Sequence, residues 1–283
     1  MKAVVVQGEM RHVRAKVIRA RSLRKHKLFR LIITQIMAAV ALLAGCVPSN
    51  ATTNGTPSST WELLAPGLER RVYRTTLTQF VILRIDPNQY LFRVHYRPGD
   101  PLDINQWSDA LPGAVAFVNG NYFDKDNHAL GLVVADGVVY GNAYQNMGGL
   151  LVVQDGIVRV RSTVAEPYTG ESLDQAVQAF PMLISDGKAA FSNTQGDRVA
   201  RRTVVGQDKE GRILLMATSA FAGMKLVDLS NYLAATDLDL VNAFNLDGGS
   251  STLLSLNLPG QSPYQIASVD PVPTVLAVYP RAG

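Results

Sequence analysis

The sequence is poor in the residues that build disulfides and zinc sites. Cys46 is the sole cysteine in 283 residues, and His95 and His128 are the only histidines beyond residue 60. One cysteine cannot close an internal disulfide. Two histidines without cysteine partners do not supply the four ligands of a structural zinc site. The sequence therefore predicts a fold held by its apolar core.

Positive charge is also scarce outside one segment. Residues 1–45 hold ten of the 27 Lys and Arg residues and a single acid, Glu9, so this segment carries a net +9 and the rest of the chain carries −5. Proteins that bind a nucleic-acid backbone cluster Lys and Arg on one face. The acidic remainder has no basic run, which excludes nucleic acid as an expected partner.

The basic segment leads into an apolar run, residues 31–45, which is shorter than the about 20 residues of a membrane-spanning helix. A charged segment, an apolar run and small residues before a cleavage point are typical of a secretory signal. Leu43-Ala44-Gly45-Cys46 resembles the lipobox of bacterial lipoproteins, in which the cysteine is lipidated. The sequence thus predicts lipidation of Cys46 and membrane anchoring of an exported envelope protein, on the outer-membrane or periplasmic side in a Gram-negative cell. The alternative is an ordinary signal peptide with a chance cysteine.

The predicted domain organisation has three parts: a lipoprotein-type signal peptide at 1–45, a Ser/Thr/Asn/Pro-rich flexible tether at 46–60, and one globular domain at 61–283. Short apolar runs on both sides of a turn predict β-hairpins, because glycine tolerates the positive φ of tight turns. The predicted hairpins are centred on Asp136-Gly137, Asp155-Gly156, Asp186-Gly187, Glu210-Gly211 and Asp86-Pro87-Asn88.

Helical spacing of apolar residues is rarer. It occurs in a segment that starts near Lys225, in a shorter one from Ile104 to Leu111, and in a third from Leu173 to Phe180. Strands dominate, so the predicted class is α+β, with a mostly antiparallel or mixed sheet and a few short helices.

Three polar clusters stand out from the apolar background: Asn119 to Asp124, Arg201 to Thr203, and Asn245 to Thr252. Each lies where a predicted strand begins or ends, which is where functional sites are commonly built. In the third cluster, paired glycines can aim backbone N–H groups at one anion beside the carboxylate of Asp247. An arginine such as Arg202 can grip a phosphate with two hydrogen bonds. A turn capped by Asn and Asp is the alternative interpretation.

Together the segments FVNGNYFD (117–124), RRTVVGQDKEG (201–211) and NLDGGSST (245–252) resemble the phosphodiester glycosidase domain family, in its exported bacterial branch. The motifs stand in the family's order, and the resemblance covers roughly residue 114 to the C-terminus. It implies hydrolysis of a sugar-1-phosphate diester in envelope or extracellular glycans, with release of free sugar and a phosphomonoester.

The resemblance also implies a set of site residues. Asp247, Arg202 and Asn119 are the expected catalytic residues: Asp247 as general acid or base, Arg202 on the diester anion with the Gly248 and Gly249 amides, and Asn119 on a phosphate or sugar oxygen. The expected substrate-binding residues are Gly248, Gly249, Ser250, Asn245, Asp124 and His128.

No cofactor is required by the sequence, and a divalent cation held by Asp247 and Asn oxygens stays an open alternative without a dedicated motif. Two other functions stay open at this point. One is an ordinary glycosidase that acts on sugars without phosphate. The other is a non-catalytic glycan-binding envelope lipoprotein.

Overall fold

The computed structural model describes residues 60–75, 78–219 and 223–281. The predicted signal peptide, Cys46 and nearly all of the predicted tether lie outside the described residues. Within them, no helix is long and apolar enough to cross a membrane.

Three sheets make up the domain, and every strand pair within them is antiparallel. The long sheet has the order β1-β2-β3-β14-β13-β15-β11-β12, the middle sheet β7-β6-β10-β8-β9, and the third sheet β17-β16-β5-β18-β4. In chain order the strands are β1 Glu62–Ala65, β2 Leu68–Arg74, β3 Gln79–Ile85, β4 Tyr90–Tyr96, β5 Ala116–Asn119, β6 Val133–Ala135, β7 Val138–Tyr140, β8 Gly149–Gln154, β9 Ile157–Ser162, β10 Gln175–Ala179, β11 Met182–Ser185, β12 Lys188–Ala189, β13 Thr203–Asp208, β14 Ile213–Ser219, β15 Leu240–Asn245, β16 Leu254–Leu256, β17 Tyr264–Ile266 and β18 Thr274–Pro280.

The helical content of the described residues is small. The α-helices are α1 Ile104–Ala110 and α2 Leu226–Ala234, and Gly249–Ser251 forms one 3₁₀ turn. Asp103 and Gln106 close a capping box at the start of α1. The first turn of α2 is capped from a distance, because the Asp197 carboxylate accepts the Leu226 and Val227 N–H groups at 2.8 and 3.0 Å. The fold is β-rich and antiparallel as predicted, and α+β describes its few helices only loosely.

Four of the five predicted hairpins are confirmed. The pairs β6–β7, β8–β9, β11–β12 and β13–β14 form as expected. At Asp136-Gly137, Asp155-Gly156 and Asp186-Gly187 both turn residues have positive φ, which matches the right-handed twist of the strands that they join.

The hairpin predicted around Asp86-Pro87-Asn88 is wrong. The turn itself forms, with the Gln89 and Tyr90 N–H groups donating to the Asp86 carbonyl. The flanking strands, however, go to different sheets: β3 pairs with β2 and β14, whereas β4 pairs with β18.

The helix predicted from Leu173 to Phe180 is also wrong. This segment contains β10, whose five residues are all buried. Because both faces of the strand are covered, apolar residues occur without alternation and mimic helical spacing.

The largest core cluster draws side chains from all three sheets, including the fully buried Val205, Leu151 and Leu276. The middle sheet approaches the long sheet closely, since a Cβ on Gly149 would lie 2.5 Å from the Phe244 ring. Backbone hydrogen bonds from Asp247 to Gly120 and from Leu246 to Thr203 bring the ends of β5, β13 and β15 together, and each of these strands adjoins one of the polar clusters of the sequence.

Candidate active site

Backbone hydrogen bonds join the three clusters into one structure. The Asp247 N–H donates to the Gly120 carbonyl at 3.0 Å, the Leu246 N–H to Thr203 at 2.9 Å, and the Gly249 N–H to Arg201 at 2.9 Å. Gly120 and Asp247 are 127 residues apart in sequence, so segments from distant parts of the chain share one site.

Asn119 lies at the centre of this junction and is 1% exposed. Its side-chain oxygen accepts the Thr203 hydroxyl at 2.7 Å and the Leu253 N–H at 3.0 Å, and its Nδ2 donates to the Asp247 carbonyl at 2.7 Å. The amide is thus engaged with all three clusters. The geometry gives Asn119 a positioning role instead of the contact with a substrate oxygen that the sequence suggested.

Asp247 follows directly after Leu246 and is largely buried. Burial raises the pKa of its carboxyl to about 6, and the charge of Asp270 acts in the same direction. Hydrogen bonds from the Ser251 side chain and the Gly248 N–H lower the pKa and only partly offset the burial. A carboxyl whose pKa lies near neutrality can both donate and accept a proton, which suits a general acid or base.

Arg202 is 8% exposed. Its Nε donates to the Met224 carbonyl at 2.8 Å, and its Nη2 donates to the Arg198 carbonyl at 2.6 Å and lies 3.5 Å from the Asp197 carboxylate. Burial lowers the pKa of the guanidinium, but arginine stays charged. Nη1 makes no hydrogen bond within the described part of the chain, while the other two nitrogens hold the guanidinium in place.

Tyr122 lies within the first motif and is a further residue of the site, not among those expected from the sequence. Burial raises the pKa of its phenol, the charge of Asp247 adds to the rise, and the charge of Arg202 opposes it. The phenol hydroxyl therefore lies within electrostatic reach of both residues. It donates to the Phe180 carbonyl at 2.8 Å and accepts the Asn245 Nδ2 at 2.8 Å.

Asn245, expected to bind substrate, is fully buried beneath Tyr122. Its Nδ2 contacts the Tyr122 hydroxyl and the carbonyls of Phe180 and Leu246. Asn245 thus holds the Tyr122 hydroxyl in place through a hydrogen bond.

The expected anion cradle of glycine amides is not present. The Gly248 N–H donates to the Asp247 carboxylate at 2.8 Å and the Gly249 N–H to the Arg201 carbonyl. Glycine is required at 248 for another reason: a Cβ there would lie 2.6 Å from the Arg201 carbonyl oxygen. Ser250 is exposed at the edge of the site, whereas Ser251 contacts Asp247.

Asp124 and His128 form a turn of their own. The Asp124 carboxylate accepts the Asp126 and His128 N–H groups at 2.9 Å, which lowers its pKa, and the His128 ring lies 3.7 Å away. Among the described residues, no hydrogen bond or ion pair joins this turn to Asp247 or Arg202. Nor do three His, Cys, Asp or Glu side chains gather anywhere in 60–75, 78–219 and 223–281 in a way that could hold a metal ion.

We predict that Asn119→Ala lowers the free energy of unfolding by about 2–4 kcal/mol, because it leaves several buried partners without a hydrogen bond. Chemical denaturation of the full-length chain measures this. The matched control is Asn105→Ala on the exposed face of α1, which should change stability by less than about 0.5 kcal/mol. Equal stability of the two variants would contradict the positioning role.

Asp247 should destabilise the fold at neutral pH. Its folded-state pKa is raised, so the cost is absent below about pH 4, grows as the pH rises toward 6, and is complete above it. A rise from 3.8 to about 6 corresponds to at most roughly 3 kcal/mol. Asp247→Asn should therefore be more stable than wild type at pH 8 and equal to it at pH 4 in denaturant titrations. Asp109→Asn, an exposed carboxyl of α1, should show no such difference.

The family model for phosphodiester glycosidases matches residues 112–279 of the chain. N-acetylglucosamine-1-phosphodiester alpha-N-acetylglucosaminidase from Mus musculus is 28% identical over 166 residues, which is 49% of this chain and 31% of that protein. The Bos taurus protein of the same name is 28% identical over 173 residues, 51% of this chain and 32% of that one. The chain thus spans about a third of the length of these curated relatives.

Solved structures share the fold. The zebrafish N-acetylglucosamine-1-phosphodiester alpha-N-acetylglucosaminidase catalytic domain, auto-inhibited by its pro-peptide, superimposes with a TM-score of 0.60 at 20% identity, covering 80% of this chain and 87% of that one. A hypothetical protein from Synechocystis gives 0.53 at 16% identity, covering 80% and 64%. With the family model covering more than half of the sequence and all three of its polar clusters, the chain belongs to the phosphodiester glycosidase family of hydrolases.

Proposed function

We propose that this chain hydrolyses sugar-1-phosphate diesters, releasing the free sugar and a phosphomonoester. The observation that carries the proposal is the backbone junction of the three motif segments, which holds Asp247 and Arg202 in one structure. The charges of both residues act on the Tyr122 phenol, so a proton-transfer group and a buried cation belong to the same site. This pairing suits a substrate with an anionic centre next to the bond that breaks.

Arg202 is the proposed anion-binding group. Its Nη1 donors would bind non-bridging oxygens of the phosphodiester, while Asp197 and the carbonyls of Met224 and Arg198 fix the guanidinium plane. Because these contacts exist before substrate arrives, little ordering cost is left for the binding step.

Asp247 is the proposed proton-transfer group. With a pKa of about 6 it is mostly ionised at pH 7 and can take a proton from the attacking water. The protonated fraction, about a tenth at that pH, can give a proton to the departing oxygen. Asn119 holds the Asp247 backbone through the 2.7 Å contact with its carbonyl and so sets where the carboxyl points.

A panel of nitrophenyl phosphodiesters of different sugars, including N-acetylglucosamine as in the names of the mouse and bovine relatives, tests the proposal. Wild type should release nitrophenyl phosphate together with free sugar. Arg202→Ala and Asp247→Asn should each lower kcat/KM by about 100-fold or more, as expected for loss of charge stabilisation and of proton transfer. The wild-type pH profile should show a transition near pH 6 that Asp247→Asn removes.

Asp109→Asn serves as the control and should retain wild-type rates. Turnover of nitrophenyl glycosides without phosphate, unaffected by Arg202→Ala, would indicate an ordinary glycosidase instead. Binding of glycans with no turnover of any diester by the folded chain would indicate a glycan-binding lipoprotein.

We further propose that the protein is exported and anchored to the cell envelope by a lipid on Cys46, so that its substrate is an envelope or extracellular glycan. The basic segment, the apolar run and Leu43-Ala44-Gly45-Cys46 support this. Expressed in a bacterial host, the full chain should fractionate with membranes, and Cys46→Ser should leave the membrane fraction. Equal membrane association of both would contradict lipid anchoring at this residue.

A further inference from the structure

A cleft that the proposed mechanism does not use lies between β4 of the third sheet and the β8–β9 hairpin of the middle sheet. Its volume is about 260 Å³, and its walls include Phe92, Val153, Gly156, Val158, Gln175 and Arg281. The cleft is distant from the proposed active site. In the third sheet Asn119 pairs with Val275, which pairs with His95 of β4. Tyr90, at the cleft, is five residues from His95, or about 17 Å at 3.4 Å per residue.

β4 is an edge strand, so one side of its backbone has no neighbouring strand. In an antiparallel pair, only alternate residues turn their N–H and C=O groups toward the partner strand. The Arg97 N–H donates to the Pro273 carbonyl, which identifies the odd-numbered residues of β4 as those bonded to β18. Phe92 and Val94 therefore turn their N–H and C=O groups to the open side of the strand.

This open side is covered at Val94 but not at Phe92. The Val94 N–H donates to the Gln175 side-chain oxygen at 2.9 Å, and Gln175 lines the cleft, so the open side faces the cleft. The N–H and C=O of Phe92 have no hydrogen-bond partner in residues 60–75, 78–219 and 223–281. Phe92 is only 3% exposed, and a shielded backbone group without a hydrogen bond is costly. A ligand that supplies both hydrogen bonds would remove this cost.

Arg281 provides a fixed positive charge at one end of the cleft. Its backbone N–H donates to the Gln89 carbonyl, so it lies beside the start of β4. Its Nε donates to the Pro87 carbonyl at 3.0 Å and its Nη2 to the Gly156 carbonyl at 2.9 Å. In the described part of the chain, no carboxylate forms an ion pair with this guanidinium. Asp174 adds a negative charge on the wall, where its exposed carboxylate accepts the Gly156 N–H at 3.4 Å.

The direction of the Phe92 groups distinguishes a peptide from a sugar as the ligand. The N–H and C=O of one strand residue point to the same side, and their complement is the C=O and N–H of one residue in an extended peptide. The trans amide of an N-acetyl sugar points its N–H and C=O in opposite directions, so it can satisfy only one of the two groups. The volume corresponds to about nine water molecules at about 30 Å³ each, which is room for one residue and its neighbour.

We propose that the cleft binds the C-terminal residue of an extended peptide, which adds to β4 in the antiparallel direction. The N–H of that residue donates to the Phe92 C=O, and its carboxylate accepts the Phe92 N–H and pairs with Arg281. The antiparallel direction brings the carboxylate toward the start of β4, where Arg281 lies. The side chain of the bound residue lies on the same face as Phe92, which belongs with Val153 and Val158 to the largest core cluster, so the cleft selects an apolar residue. This site does not depend on the proposed hydrolysis.

The first test uses the wild-type full-length chain and changes only the peptide. The probe is acetyl-Gly-Gly-Val with a free carboxylate, titrated by calorimetry, and we expect a Kd of about 1 mM or tighter. The C-terminal amide of the same peptide should bind at least about tenfold more weakly, because it loses the charged hydrogen bonds. Methylation of the valine nitrogen, which removes the donor to Phe92, should weaken binding by a similar factor.

The second test changes the protein. Arg281→Ala should bind the free acid and the amide equally, whereas Arg281→Lys should keep part of the preference for the acid because the charge remains. Asp174→Asn should strengthen binding of the acid by about twofold and leave the amide unchanged, since it removes a repulsive charge. Arg159→Ala is the matched control: this arginine of β9 pairs with Glu166 outside the cleft, and its loss should leave the ratio of acid to amide affinity at the wild-type value.

Three results would overturn the proposal. The first is equal affinity of wild type for acid and amide, or no binding of the acid up to about 10 mM. The second is a preference for the acid that persists in Arg281→Ala. The third is binding of N-acetylglucosamine, lost in Arg281→Ala, without binding of the peptide, which would assign the cleft to a sugar. Loss of diester hydrolysis in any assay would leave this peptide site unaffected, so the two proposals fail separately.

Discussion

The site depends on the side-chain amide of Asn119. One fully buried group ties the end of β5 to the start of β13 and to the turn after β15, with each polar atom of the amide given a partner. A buried amide with unmet hydrogen bonds is costly, so this arrangement is stable only when all three segments are in register. The hydrogen bond from Asn119 to the Asp247 carbonyl stabilises the fold locally and also fixes the position of Asp247. Asn119 therefore contributes both to stability and to the geometry of the site.

Asp247 differs from Asn119, because the cost of burying its carboxylate is larger than the gain from its hydrogen bonds. Burial keeps its carboxyl partly protonated near neutral pH, and two donated hydrogen bonds do not compensate for the desolvation of its charge. Proteins commonly carry such a destabilised group where chemistry takes place. Arg202 is also desolvated, but Asp197 and two carbonyls stabilise it, so its charge persists. Asp247 can thus change its protonation state near neutral pH, whereas Arg202 stays charged, which suits the proton-transfer and anion-binding roles proposed for them.

Much of the fold could be predicted from the sequence because local signals decide it. Asp-Gly turns determine three hairpins, and amphipathic spacing determines α1 and α2. The errors come from tertiary context. A strand buried on both faces, β10, carries no alternation, and nothing local to Asp86-Pro87-Asn88 reveals that its flanking strands join different sheets.

The residue types of the candidate site could be predicted from the sequence, but the contacts that these residues make could not. The clusters themselves were visible as polar residues at strand ends, and the structure brings them together. The partners of their hydrogen-bonding groups were not visible, because the Gly249 N–H and the Asn119 amide bond to segments far along the chain. Tyr122 was missed because a tyrosine shortly after a buried strand resembles a core residue, and only the charges of Asp247 and Arg202 that act on its phenol distinguish it.

The order of strands has a consequence for biosynthesis. β5 lies between β16 and β18, so its neighbours in the third sheet come from the last 30 residues of the chain. While the ribosome is still making that part, the strand that ends in Asn119 has no partner on either side. Long-range antiparallel pairing of this kind forms late and slowly. The active site should therefore mature only after synthesis of the domain is complete, and nascent chains should expose β5 until then.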